Sequence, residues 1–299
     1  MYQVSVISVS VETIDLSLVT LKKYVIGSGE PKVVITAGLH GDEVTSIYAA
    51  FKVIRELESQ KINGTVVIFP IANPLGFYAR RRESPIDGVD INRVFPEGSG
   101  HKITRKIVEN IWEEVKNADY ALDLHCAGLQ AFQYILALYE EFDYVKSFVA
   151  NIPWEIVVES TGLRGQLFVE ASHNGIPAAI VETVGGASYF SEEWAKNLKD
   201  TVIGLLSNLE ILDFNKKKVN QIFLSRIERI KSPKEGFFVH KAHPGDTIRE
   251  GDVIGYIDTT TNGELIEIKS PIDGVVISLN SYRYVSEGDS IAGVAKLKK

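Results

Sequence analysis

Val33-Val34-Ile35-Thr36-Ala37-Gly38-Leu39-His40-Gly41-Asp42-Glu43 is the stretch whose reading decides the fold. Its first five residues are mostly β-branched and apolar, the composition of a strand buried on both faces. From residue 43 onward Val44, Ile47, Tyr48, Phe51, Ile54 and Leu57 recur at helical spacing, which predicts a helix over 43–59. A strand, a short turn and a helix form the opening unit of an α/β sheet, and in such sheets sites gather at the carboxyl ends of strands. His40 and Glu43 stand at that end, where this spacing can aim an imidazole and a carboxylate at one point. They make half of a catalytic zinc site. The spacing by itself arises often by chance, so the remainder of the chain must supply the other half.

The same alternation continues downstream. Runs 65–69, 118–126, 133–138, 155–158 and 178–183 read as strands, and 101–117, 140–150, 165–174 and 190–212 as helices. Residues 2–26 alternate in pieces and read as strands, with Gly27-Ser28-Gly29 as a turn. From Pro70 to about Gly100 runs a long loop rich in Pro, Gly and Arg, and loops of that length are usually functional. The fold class expected is α/β, a mixed sheet flanked by helices, over residues 1–215. Lys216-Lys217-Lys218 is a polar junction, after which helical periodicity vanishes. Short β-like pieces then alternate with Gly turns such as Pro244-Gly245-Asp246 and Glu287-Gly288-Asp289. Residues 216–299 are therefore expected to form an all-β domain, barrel-sandwich-like, and the echo of 243–248 in 286–291 suggests a small sandwich or barrel of two similar halves.

Composition narrows the function classes. Of the 299 residues 45% are hydrophobic and 24% charged, as in ordinary globular domains, and the formal net charge is −7. That balance argues against nucleic acid or a membrane surface as partner. The start, Met1-Tyr2-Gln3-Val4, lacks the features of a signal peptide, and no stretch is apolar enough to span a bilayer. One cysteine excludes an intrachain disulfide, so a cytoplasmic setting is the expectation. A homo-oligomer is compatible with the sequence but not specified by it.

His125, at the end of the 118–126 strand, can supply a third zinc ligand beside His40 and Glu43, leaving a position open for water. Asp123 lies two residues earlier on the same face and either orients a ligand or is a solvated aspartate. Cys126 points to the opposite face and reads as buried and inert rather than as half of a Cys–His dyad. Glu182 interrupts an apolar strand, where a carboxylate is costly without a partner. Beside a metal-bound water it serves as general base and then general acid; at an exposed strand tip it does nothing chemical. Arg80, Arg81, Arg82 and Arg93 form a local cationic loop in an acidic protein, suited to an anionic substrate or to an oxyanion. His101, His173, His240 and His243 have no partners at useful spacing.

Taken in order, Gly38-Leu39-His40-Gly41-Asp42-Glu43, Asn73-Pro74-Leu75-Gly76, Asp90-Ile91-Asn92-Arg93-Val94-Phe95-Pro96, Asp123-Leu124-His125 and Val181-Glu182 resemble the succinylglutamate desuccinylase/aspartoacylase family. The resemblance covers about residues 30–190 and is specific as a set. It implies a zinc carboxypeptidase-like fold, one zinc ion per chain held by His40, Glu43 and His125, and Glu182 as catalytic base. It implies Asn92 and Arg93 as grips for a substrate carboxylate and an arginine that polarises the scissile carbonyl. Arg82 is assigned that role, with Glu83 standing where relatives often have an aromatic residue. The substrate implied is a small N-acyl amino acid; the alternatives are a metallocarboxypeptidase acting on a peptide substrate and a non-catalytic binding protein. The C-terminal part is similar to the β-domain of these proteins, which shields the mouth of the site, and Tyr282 and Tyr284 are candidates to reach it. Its Lys269-Ser270-Pro271-Ile272-Asp273-Gly274 also resembles biotinyl and lipoyl domains, but without the hairpin that carries their modified lysine.

Overall fold

A computed structural model describes residues 9–187, 189–259, 263–280 and 283–298. The chain opens with β1 (Val9–Asp15), β2 (Thr20–Ser28) and β3 (Lys32–Ala37), then α1 (Val44–Leu57), β4 (Gly64–Phe69) and α2 (Pro74–Ala79). A 3-10 turn at Ile91–Arg93 precedes α3 (Lys102–Val115), β5 (Tyr120–Gly128), β6 (Tyr134–Ala137), α4 (Asp143–Val149) and β7 (Ile156–Glu159). Then come α5 (Leu167–His173), β8 (Ala178–Val184), α6 (Glu192–Asn208) and β9 (Ile222–Leu224). These nine strands make one mixed sheet in the order β1-β2-β4-β3-β5-β8-β6-β7-β9. The middle strands β4, β3, β5 and β8 run parallel, and β6 lies antiparallel to β8.

The central strands are buried on both faces because a helical layer covers each. On one face α1, α4 and α6 bury Ala49, Val53, Phe148, Leu198 and Leu205 against Ile35, Leu122 and Val181. On the other, α3 and α5 bury Ile107, Ile111 and Phe168 against Val34, Val67 and Ile180. At roughly 25 cal/mol per Å² of apolar area, these two layers supply the main drive for folding. The carboxyl ends of β3, β5 and β8 therefore converge at the middle of the sheet, with solvent on one side only.

After β9 the chain builds two four-stranded antiparallel sheets. Their elements are β10 (Glu228–Lys231), β11 (Gly236–His240), β12 (Thr247–Ile248), β13 (Val253–Asp258), β14 (Leu265–Lys269), β15 (Gly274–Leu279), β16 (Tyr284–Val285) and β17 (Ser290–Ala295). The orders are β10-β17-β15-β12 and β14-β13-β11-β16, closing on Phe238, Ile254, Ile257, Val276 and Ile291. No helix among the described residues is long and apolar enough to cross a membrane.

The region 70–100 departs from the loop expectation. Asn73 accepts the Gly76 amide at 2.9 Å and Pro74 occupies the first helical position, so α2 has a cap and a proper start despite its Pro and Gly content. Gly27 and Ser28, expected in a turn, lie within β2.

Candidate active site

The turn after β3 is held by close backbone approach. A Cβ on Gly41 would fall 2.0 Å from the Gly76 carbonyl carbon of α2, so no larger residue fits there. The Asn73 side chain donates to Leu39 O at 3.3 Å, fixing the same turn from behind. Two of the short motifs thus pack on each other and set where His40 points. Glu43 is the N-cap residue of α1, and its carboxylate is not used to cap that helix. It turns inward instead, accepting the Cys126 amide at 2.9 Å on β5.

His40, Glu43 and His125 are brought together, with one ligand atom from each within 4.8 Å of the others. His40 Nδ1 lies 2.7 Å from Glu43 Oε1, and His125 Nδ1 lies 3.0 Å from Glu43 Oε2. The two Nδ1 atoms face each other at 3.1 Å. All three residues are under 5% exposed, so water does not screen them. Each far ring nitrogen has a carboxylate beside it. His125 Nε2 meets Asp123 Oδ2 at 2.7 Å, and Asp123 accepts from Thr36 Oγ1 at 2.7 Å through its other oxygen. His40 Nε2 lies 3.3 Å from Asp90 Oδ1 but without hydrogen-bond geometry. Asp123 places a proton on His125 Nε2 and leaves the Nδ1 lone pair of that ring aimed inward.

The electrostatics fit a divalent cation at this centre. Glu43, Asp90 and Asp123 press on the two imidazoles, Arg82 reaches Asp90 and Glu43, and Arg93 also acts on Asp90, so around the two rings carboxylates outnumber guanidiniums. Without a cation the imidazoles take up that role as protons. Burial alone would lower both histidine pKa values, but Glu43 and Asp90 raise that of His40, and Asp123 and Glu43 raise that of His125 well above normal. Burial would raise Glu43 and Asp90, yet the histidines hold both well below the usual carboxylate range. An oxygen ligand and two imidazole nitrogens form a set suited to a catalytic zinc.

Glu182 sits on β8 in register with His125 on β5, so the two side chains share a face of the sheet on neighbouring strands. Its Oε2 is buried without a hydrogen-bond partner. Burial pushes its pKa up to about 7; the His125 charge opposes this and Glu43 adds to it. A carboxylate that is desolvated, unpaired and poised near neutrality has the properties of a general base.

Of the three adjacent arginines only Arg82 reaches the cluster. Its Nε and Nη2 grip Asp90 Oδ2 at 3.2 and 3.0 Å, which leaves Nη1 directed inward, 3.2 Å from His40 Nδ1. Arg80 and Arg81 are exposed. Asn92 is buried, its Oδ1 accepting the Leu167 amide at 2.8 Å and its Nδ2 3.3 Å from His125 Nε2. Arg93 is exposed beside it and donates to Asn92 O at 2.7 Å. A cleft of about 440 Å³ opens over the cluster, lined by Asp42, Glu43, Arg82 and residues 126–129 and 185–187. Asn92 and Arg93 do not line it. Cys126 is buried at the wall, its thiol pKa raised well by burial and then by Glu43, in keeping with an inert residue. Tyr284 meets Phe237 edge to face at 5.2 Å and does not line the cleft, and Tyr282 lies outside the described residues.

Sequence reasoning did not single out Asp90, which bonds Arg82 and lies 3.3 Å from His40 Nε2; only its place two residues before Asn92 hinted at it. We expect Asp90→Asn to lower zinc affinity or kcat/KM by about 10–100-fold, since outer carboxylates on histidine ligands have effects of that size. Zinc titration against a chromophoric chelator and steady-state kinetics check this, and wild-type values in both would remove Asp90 from the role.

Residues 29–209 match the family described as the succinylglutamate desuccinylase/aspartoacylase catalytic domain. Residues 188–291 match a family described as an uncharacterized protein conserved in archaea. The chain is 27% identical over 296 residues to N-alpha-acetyl-L-2,4-diaminobutyric acid deacetylase of Halomonas elongata, covering 91% of this chain and 84% of that one. Among solved structures, succinylglutamate desuccinylase/aspartoacylase from Rhodobacter sphaeroides superposes with a TM-score of 0.83 at 22% identity, over 94% of this chain and 89% of that one. The product-bound ectoine utilization protein EutE of Ruegeria pomeroyi gives 0.82 at 21% identity, over 98% and 100%. At these identities the solved structures speak for the fold.

Proposed function

The chain belongs to the succinylglutamate desuccinylase/aspartoacylase family, and from that premise we propose that it is a zinc-dependent amidohydrolase that cleaves a small N-acyl amino acid. The observation that carries the reading is the convergence of two imidazole Nδ1 atoms and one carboxylate beside the unpaired Glu182, at the ends of adjacent strands. His40, Glu43 and His125 would hold one zinc ion, which would supply Lewis-acid chemistry at the site.

The chain's own residues do the rest. Glu182 takes the proton of the attacking water and returns it to the leaving amine. Arg82 Nη1, freed because Asp90 occupies the other guanidinium nitrogens, holds the negative charge that develops on the carbonyl oxygen. Arg93 binds the amino-acid carboxylate through its fork, and Asn92 positions that turn against His125. Arg93→Gln is expected to raise KM about 10–100-fold with kcat little changed, because a charge-assisted pair contributes to binding before and during reaction. A loss confined to kcat would give the carboxylate to another group.

The decisive assay offers zinc-loaded protein acetyl-, succinyl- and aspartyl-type N-acyl amino acids beside short peptides with free carboxyl ends. Hydrolysis of an N-acyl amino acid supports the reading. Cleavage of peptides alone makes the chain a carboxypeptidase, and turnover of neither makes it a binding protein.

A further inference from the structure

Glu170, on α5, is buried and takes no part in the chemistry described above. Its carboxylate accepts three bonds: from Arg164 Nε at 2.7 Å, from Arg164 Nη2 at 2.5 Å and from the Gly165 amide at 2.7 Å. These bonds go to the loop ahead of α5, not to the free amides of the helix itself. Burial would raise its pKa, but Arg164 and the Gly165 amide hold it below the ordinary value. A carboxylate so buried adds little to stability for what it costs to desolvate. What it fixes is the position of the 164–167 loop.

That loop is locked to the 3-10 turn at Ile91–Arg93. Gly165 has a φ of +87°, and a Cβ on it would fall 2.1 Å from Arg93 O, so its bare Cα lies directly on the Arg93 peptide. Gly165 O accepts the Phe95 amide at 3.1 Å. Two residues on, the Leu167 amide donates to Asn92 Oδ1 at 2.8 Å. One loop thus meets the turn at Asn92, Arg93 and Phe95, and Glu170 holds that loop to α5. The Arg93 side chain is exposed and tied by one bond to Asn92 O, so its aim depends on the backbone it stands on. A shift of about 1 Å in such a group can cost about 10²-fold.

We propose that Glu170 is a positioning residue for the carboxylate grip of Asn92 and Arg93, acting through Gly165 on the turn that carries both. The proposal rests on the amidohydrolase reading. A glutamine in its place keeps the size but turns an amide NH2 towards the donors of the loop, so the three bonds cannot all form. The loop then loosens and Arg93 loses its aim. His40, Glu43, His125 and Glu182 stand on other elements and keep theirs.

The test measures one N-acyl amino acid against its α-carboxamide on zinc-loaded wild type, Glu170→Gln, Arg93→Gln and the double variant. In Glu170→Gln the ratio of kcat/KM, acid over carboxamide, is expected to fall at least about tenfold, through KM, with zinc content at the wild-type level. In the double variant it should fall no further than in Arg93→Gln, since both residues act on one contact. Gly165→Ala, whose added Cβ presses on Arg93, should lower the same ratio and carries the test should Glu170→Gln fail to fold. An equal fall for both substrates, additive losses in the double variant or a fall in kcat alone makes Glu170 a structural residue, which overturns the proposal and leaves the amidohydrolase intact. If the wild type hydrolyses no N-acyl amino acid the wider reading fails, and calorimetric binding of N-acetylglycine against its amide then decides. Selective loss of the acid in Glu170→Gln keeps the positioning role, and unchanged binding of both ends it.

Discussion

Glu182→Gln is expected to lower kcat by about 10²–10⁴-fold while zinc binding persists, the span associated with loss of a positioned general base. The amide keeps the shape and cannot accept the proton. A second signature separates this from a structural defect. In the cation-free protein burial raises the Glu182 pKa from 4.5 to about 7. The folded state then holds the proton more tightly than the unfolded chain, so the stability tied to this group is complete below 4.5 and is lost as pH rises towards about 7. The difference corresponds to about 3 kcal/mol at most, since one pKa unit is ~1.4 kcal/mol. Glu182→Gln removes that loss, and the cation-free variant should unfold at higher denaturant than wild type at pH 8 and match it at pH 4. A variant that is slower and also less stable at pH 8 would make Glu182 a packing residue.

Glu43→Ala should abolish stoichiometric zinc and with it turnover. Glu43 bonds three groups, His40 Nδ1, His125 Nδ1 and the Cys126 amide. Without it two imidazoles face each other across 3.1 Å with no anion between them. For the wild type, zinc at about 100 times its Kd should stabilise the fold by about 2.7 kcal/mol. Elemental analysis and chelator-dependent melting read both effects. A Glu43→Ala protein that still carries one zinc per chain and melts later when zinc is added would transfer the metal to other ligands.

Much of this could be read before any coordinates. The strand 32–37, the helix after Glu43 and the alternation that follows carry strong periodicity, and the fold class came through because nearly every central strand is buried on both faces. His40 and Glu43 were legible because local spacing alone aims them together. His125 and Glu182 were legible because each breaks an apolar strand at its end. The rest depends on contacts between distant segments. Asp90 has no local pattern that predicts its bond to Arg82 or its place beside His40. Arg82 stood out from Arg80 and Arg81 only by resemblance; α2 separates them in space by leaving Arg80 in a left-handed cap.

The strand β9 decides how the second module is tied to the first. It closes the edge of the large sheet beside β7. Leu224 bridges Leu297, Ser225 N donates to Lys296 O at 2.8 Å, and Lys298 N donates to Phe223 O at 3.0 Å. Residues 225–296 therefore leave and re-enter side by side at this edge. A second tie lies at the turn after β5, where Phe132 N donates to Ile277 O at 2.7 Å and Leu279 N to Gln130 O at 2.8 Å. Between the two ties Tyr134, Ile156 and Val158 share one apolar cluster with Val275, Ile277 and Ala295. A module moored at two separate points has no single hinge on which to swing, so its orientation over the sheet is built in.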